Sequence, residues 1–206
     1  MFLDHRSSWR VLQAIIVCGG TTLAACGGGG TSPTTPTTDA AVPVLSVPIV
    51  DLTLLNDFKP FGVSVVAGRL NPTYDLYTTG DTTSVLSAGP GTVVNILANQ
   101  APDTDSEIHI RPSGAPDYLI IYDHVVSLQV GLGQALTAGQ VIGRIGPWVP
   151  GVGRTELQVN RGSGQSAVAL CPREFGSAAF NAAHDAALAR FPARGGSVCL
   201  TSSVQP

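Results

Sequence analysis

Val130-Gly131-Leu132-Gly133-Gln134-Ala135-Leu136-Thr137-Ala138-Gly139-Gln140-Val141-Ile142-Gly143-Arg144-Ile145-Gly146 is the stretch whose reading decides the fold. Ala138-Gly139 is a turn signal, and Val141, Ile142 and Ile145 just after it are the branched types that suit a pleated strand. The same grammar continues outward in both directions. Residues 63–67, 93–97, 107–111, 118–124, 141–145 and 155–159 are short runs carrying branched or aromatic side chains, each of strand length. Gly89-Pro90-Gly91, Pro112-Ser113-Gly114 and Gly131-Leu132-Gly133 punctuate them. No useful helical period interrupts residues 62–161, so the expectation is a mainly β, antiparallel sandwich or rolled sheet.

Alternation assigns faces within these runs. Tyr118, Ile120, Tyr122 and His124 are expected on one side of their strand, with Leu119, Ile121 and Asp123 on the other. Glu156, Gln158 and Asn160 share a polar face opposite Leu157 and Val159. Asp103, Asp105 and Glu107 read as a solvated acidic loop, because the glycine and terminal glutamate of a calcium loop are missing. A hairpin that pairs Arg111 with Tyr118 puts His109 opposite Ile120, too far along the strands from His124 to share an ion.

One helix is expected over residues 177–190, with Phe180, Ala183, Ala187 and Leu188 as its buried stripe. Ser177 suits its cap, and Pro192 lies just past its end. Cys171 and Cys199 flank it. In an exported chain such a pair favours a disulfide, closing a loop of about 29 residues and contributing on the order of 3 kcal/mol; two buried free thiols are the alternative. The bridge would clip a C-terminal helical appendage, residues 166–206, onto the β domain at 42–165.

Export itself is read from the start of the chain. Arg6 and Arg10 precede a mostly apolar stretch that ends in Leu23-Ala24-Ala25-Cys26, the charged start, apolar middle and small-residue cut site of a signal peptide over residues 1–25. An ordinary secretory signal with a chance cysteine is the alternative to a lipoprotein. Residues 27–41, rich in Gly, Thr, Ser and Pro, cannot bury enough apolar surface to order themselves and read as a tether. Loss of Arg6, Arg10 and Asp4 moves the formal charge from −3 to −4. With Lys59 the single lysine, there is no basic face for nucleic acid.

Leu23-Ala24-Ala25-Cys26 resembles a bacterial lipoprotein box, which implies that Cys26 is the acylated N-terminus and the membrane anchor. Gly27 stands where a retention aspartate is found in enteric-type bacteria, so the outer membrane, facing the periplasm, is implied. Ser87-Ala88-Gly89-Pro90-Gly91-Thr92-Val93-Val94, Tyr118-Leu119-Ile120-Ile121-Tyr122-Asp123-His124 and the 130–146 stretch, in that order, resemble the lysostaphin or LytM-type zinc endopeptidases of peptidoglycan. The resemblance covers about residues 60–161. It implies a polar groove lined by Asn71, Tyr74, Asp75, His124, Glu156 and Gln158, and it implies that the loop carrying Trp148 is a groove wall able to stack on a sugar.

The family holds zinc with a His-x-x-x-Asp motif and the second histidine of a His-x-His strand, leaving one position for water. Here Asn71-Pro72-Thr73-Tyr74-Asp75 and Glu156-Leu157-Gln158 stand at those places. Asp75 and His124 remain, and the family's zinc is not expected. A polar groove that holds no metal is the expectation; the oxygen donors of Asn71, Asp75, Glu156 and Gln158, suited to a hard cation such as Ca²⁺ held loosely, are the alternative. Three functions follow as expectations. The first is a degenerate domain that binds peptidoglycan or a cell-wall hydrolase. The second is an enzyme using Glu156 as base and His124 as acid, or unconventional metal ligands. The third is an inert structural lipoprotein.

Overall fold

The structure, a computed structural model, describes residues 41–99, 104–194 and 196–206. The signal peptide, Cys26, all but the last residue of the tether, and Asp103 lie outside the described residues. In chain order the strands are β1 (Leu55–Lys59), β2 (Ser64–Val66), β3 (Arg69–Leu70), β4 (Tyr74–Thr79), β5 (Ser84–Leu86), β6 (Gly91–Ala98), β7 (Ser106–Pro112), β8 (Tyr118–Val126), β9 (Ala135–Leu136), β10 (Val141–Val149), β11 (Val152–Arg161), β12 (Val168–Leu170) and β13 (Ser203–Val204). Between the last two lies the helix α1 (Ala178–Leu188).

Eleven strands form one sheet with the path β1-β4-β11-β10-β8-β7-β6-β9, β5 adding to β10 and β12 with β13 to β11. The expected mainly β, antiparallel fold is what the chain adopts. In the 130–146 stretch, Gln140 donates to the Thr137 carbonyl at 3.2 Å. Gly139 takes φ +78°, a left-handed conformation that favours glycine. That turn docks on Ser87, whose N–H and carbonyl bond Gln140 and Gly139 at 2.8 Å each. β9 lies beside β6, with Gly91 opposite Leu136. The two family-like segments are thus hydrogen-bonded to each other.

β11 is the hub. On one edge it takes β4 and then β12; on the other it takes β10 and then β8. Its inward side chains Leu157 and Val159 pack with Tyr74, Leu76, Ile120 and Tyr122 in the core, each fully buried aliphatic contributing about 1.5–3 kcal/mol. Its other face carries Arg154, Glu156 and Gln158.

α1 is shorter than the expected 177–190, and Ser177 accepts from the Phe180 N–H at 3.2 Å as its cap. The buried stripe is Phe180, His184, Ala187 and Leu188, so His184, not Ala183, fills the middle of it. Its Nδ1 donates to the Phe180 carbonyl at 2.8 Å, while Nε2 is buried with no partner among the described residues. Burial pushes its pKa down, so the unfolded chain takes up a proton that the native state resists. Stability therefore falls as pH drops below about 6.5, the unfolded value. Urea midpoints should decline between pH 7 and 5.5, and decline less in His184→Gln. Parallel declines in the two proteins would remove His184 as the cause.

Cys171 and Cys199 are bonded, with Cα atoms 6.0 Å apart. The Tyr74 hydroxyl lies 3.8 and 3.5 Å from their sulfurs. The chain beyond residue 165 is woven into the sheet through β12 and β13.

Three local expectations are corrected. Residues 63–67 supply only β2, which forms an exposed hairpin with β3 off the main sheet. Gly146 to Val149 are not a loop: β10 continues through Trp148, and Val149 pairs with Val152 across a tight turn. His109 faces Ile121, not Ile120, because the connection closes as two turns, Ala115 onto Pro112 and Tyr118 onto Ala115.

Candidate functional site

β4, β11 and β8 run side by side and set three carboxylates abreast: Glu156 is opposite Asp75 on one edge and Asp123 on the other. Like charges directly opposite are destabilising, so the arrangement depends on the cations placed among them. Lys59 on β1 faces Asp75 in register, with Nζ 3.6 Å from Oδ2. The Arg154 guanidinium pairs with Glu156 and reaches Asp75 Oδ2 at 3.5 Å. His124 Nε2 lies 3.5 Å from Glu156 Oε1 and 3.8 Å from Asp123 Oδ2. Charges alternate in sign along the whole row.

Asp75 is 2% exposed. Its Oδ1 accepts from Asn71 Nδ2 at 2.7 Å and from the Thr73 hydroxyl at 2.6 Å, and the Tyr77 hydroxyl donates to Oδ2 at 3.3 Å. Strand alternation explains this set, since Asp75 and Tyr77 share a face. Tyr74 does not line the groove, contrary to expectation. As the neighbour of Asp75 it points the other way, fully buried, its ring 5.8 Å from Phe58.

Alternation fails at His124. The backbone there takes φ +56°, and the register with β7 slips between Ser106–Val125 and Ile108–Tyr122. This bulge turns His124 onto the polar face beside Asp123. It does not follow Tyr122, whose hydroxyl accepts from Ala88 N–H at 2.7 Å on the buried side. A left-handed non-glycine residue costs about 1–3 kcal/mol. Offsetting bonds hold it: His124 N–H to Asp123 Oδ1 at 2.7 Å, and Nδ1 to Asp105 Oδ2 at 2.8 Å. β10 crosses this point at Gly146, where an added Cβ would stand 2.8 Å from the His124 carbonyl. Only glycine fits there.

Asp105 is not a solvated loop residue. It is 6% exposed, and the Asn99 amide bridges it to Asp123. Glu107 lies in β7 and pairs with His109. Burial pulls the His124 imidazole down, but Glu156, Asp123 and Asp105 outweigh burial and Arg154, and its pKa is pushed up to about 9. His124 is therefore an imidazolium at neutral pH, with no lone pair free for a general base.

Gln158 shares the outer face of β11, opposite Ile121, and its Nε2 donates to Asn160 Oδ1 at 2.7 Å. Asn71, Asp75, His124 and Glu156 are thus joined by hydrogen bonds and ion pairs, Gln158 is on the same face, and Tyr74 is elsewhere. The sequence reading missed Lys59, Thr73, Tyr77, Asn99, Asp123 and Arg154. Two of them carried a signal: Arg154 and Tyr77 stand two residues from Glu156 and Asp75, hence on the same strand faces. Trp148 is half-exposed beyond this row, with the Arg154 guanidinium 4.8 Å from its ring and the Tyr77 ring at 6.0 Å.

No protein-family model matches the chain, and no curated protein matches it either. Solved structures do. A chain of the SpoIIQ–SpoIIIAH pore-forming complex is 17% identical, with TM-score 0.52 over 66% of this chain and 93% of that one. The catalytic domain of lysostaphin from Staphylococcus simulans is 19% identical, with TM-score 0.47 over 60% of this chain and 93% of that one. Csd3 of Helicobacter pylori is 20% identical, with TM-score 0.48 over 65% of this chain and 33% of that one. The chain matches 47% of the length of whole lysostaphin and a third of Csd3. At these identities the likeness is one of fold, and it is carried by the chain of the SpoIIQ–SpoIIIAH complex, at TM-score 0.52.

Proposed function

We propose that this chain is a lipoprotein of the bacterial cell envelope, anchored through Cys26, whose peptidase-like groove works without zinc and binds peptidoglycan. One observation carries the reading: the Arg154 guanidinium stands between Asp75 and Glu156, a fixed cation among the acids of the groove. The donor set suits zinc poorly. Asn71 turns its amide nitrogen, a donor, toward Asp75, and both Asp75 oxygens are already engaged. Gln158 offers a neutral amide where an imidazole or thiolate would suit zinc. A partner hydrolase in place of peptidoglycan is the alternative ligand of the same groove.

An unconventional metal site has one observation in its favour. Asp105, Asp123 and His124 offer ligand atoms within 4.8 Å of one another. Metal analysis of the purified protein, combined with incubation on isolated sacculi, decides between the readings. The expected result is substoichiometric metal, cosedimentation with sacculi and no released peptides. Stoichiometric zinc with release of cross-link peptides would overturn the proposal. Failure to sediment, in a folded protein, would leave the groove without a wall ligand.

A further inference from the structure

We propose that Arg111 and Arg161, at the far end of the groove floor from the Arg154 row, form a binding site for the terminal carboxylate of a peptidoglycan stem peptide. The inference rests on the reading that the groove binds peptidoglycan, and it names the part that is bound.

β8 is the floor strand that joins the two places. Asp123, at one end, lies opposite Glu156, and the pairing with β11 then runs without a slip to Leu119 opposite Asn160 and Tyr118 opposite Arg161. Tyr118, Ile120 and Tyr122 belong to the core, so Leu119 and Asp123 share the outer face. Four residues separate these two, about 13 Å along the strand at the usual rise. Arg111 stands on the outer face of β7, exposed between the buried Ile110 and Pro112. Arg161 ends β11, where pairs with Tyr118 and Val168 on either side hold its backbone.

Both arginines line one cavity of about 390 Å³, together with Leu119, Asp117 and Ser163. Among the described residues neither guanidinium has a hydrogen-bond or ion-pair partner, whereas those of Arg154, Arg173 and Arg194 each hold a carboxylate. Two guanidinium groups against the single Asp117 leave this cavity net positive, on a chain whose net charge is −3. A guanidinium presents a planar fork of N–H donors that matches a carboxylate, and it stays charged at any working pH. Asp117 adds an acceptor for a peptide N–H or ammonium beside the bound anion. An extended peptide of about four residues covers the distance from this cavity to Asp123 and Glu156. A stem peptide that ends on the arginines therefore lies along the floor and reaches the charged row.

The test is isothermal titration with a synthetic stem tetrapeptide, once with a free terminal carboxylate and once as the terminal amide, with inorganic phosphate in parallel. Saturable binding of the acid is expected, and the amide should bind roughly tenfold more weakly or worse. Arg111→Gln and Arg161→Gln, both at exposed positions, should each weaken the acid roughly tenfold and change the amide by no more than about twofold. Arg161→Lys, which keeps the charge and loses the fork, should fall between wild type and Arg161→Gln. No saturable binding, equal affinity for acid and amide, indifference to both glutamine substitutions, or phosphate bound in preference to the peptide, overturns the site. Cosedimentation with sacculi separates this from the wider reading. If wild type sediments and yet titrates acid and amide alike, the groove reading stands without the carboxylate site; if wild type does not sediment, the reading itself falls.

Discussion

Arg154→Met should lower the free energy of unfolding by on the order of 3 kcal/mol, the scale expected when one partner of a buried ion pair is removed and the other is left behind. Asp75 and Glu156 are 2% and 8% exposed and face each other across the strands. Without the guanidinium they become adjacent anions with little water to screen them. Lys59 remains on Asp75 and His124 on Glu156, and the Arg154 side chain is itself 18% exposed, so a larger loss is not expected. Methionine keeps most of the volume, which isolates the charge. The companion experiment is Arg154→Met with Asp75→Asn and Glu156→Gln. Removing all three charges should restore most of the loss, because neutral amides need no counter-ion. Urea midpoints at constant slope measure both changes. A single variant within about 0.5 kcal/mol of wild type, the range of ordinary surface substitutions, would show that solvent reaches these carboxylates and that the row does not need its central cation.

The same row shows what a sequence can and cannot reveal. The 130–146 stretch was legible because its turns are local: Gly139 and Gln140 act on neighbours a few residues away. The polar face of Glu156 and Gln158 was legible for the same reason, since strand alternation needs no partner. Alternation alone sets His124 beside Tyr122, away from the groove in which the family resemblance puts it, because its bulge exists only in register with β7, and register is a property of two strands. Tyr74 was drawn into the groove by its place inside the Asn71–Asp75 segment. β4 is buried on both faces over Tyr74–Thr78, so no hydrophobic alternation marked it as a strand or pointed Tyr74 inward. Asp105 and Asn99 meet across the end of the β6–β7 hairpin, a contact that composition alone made look like an ordinary acidic loop. Trp148 was assigned to a loop because two prolines and two glycines surround it. Pro147 nevertheless sits within β10, opposite Gly153 of β11.

Replacing Cys171 and Cys199 by serine should remove about 3–4 kcal/mol, the chain-entropy value for a loop of this length. The loss should be global and not confined to α1. Three other attachments tie the C-terminal segment down. Leu45 exchanges backbone bonds with Phe175 and Ser177 at 2.9 and 2.8 Å, the Arg190 guanidinium donates to the Leu52 and Thr53 carbonyls, and β12 pairs with β11. Phe180, fully buried, packs against His184, which in turn faces Tyr74 of the sheet. The helix therefore shares its core with β4, so freeing it would expose apolar surface belonging to the sheet. Unfolding in urea should remain a single transition with an unchanged slope and a lower midpoint. Amide exchange should accelerate in β4 and β11 as much as in α1. A second transition, or exchange that speeds up in α1 alone, would mean that the helix detaches while the sheet stands, and that the bridge holds an appendage instead of closing the core.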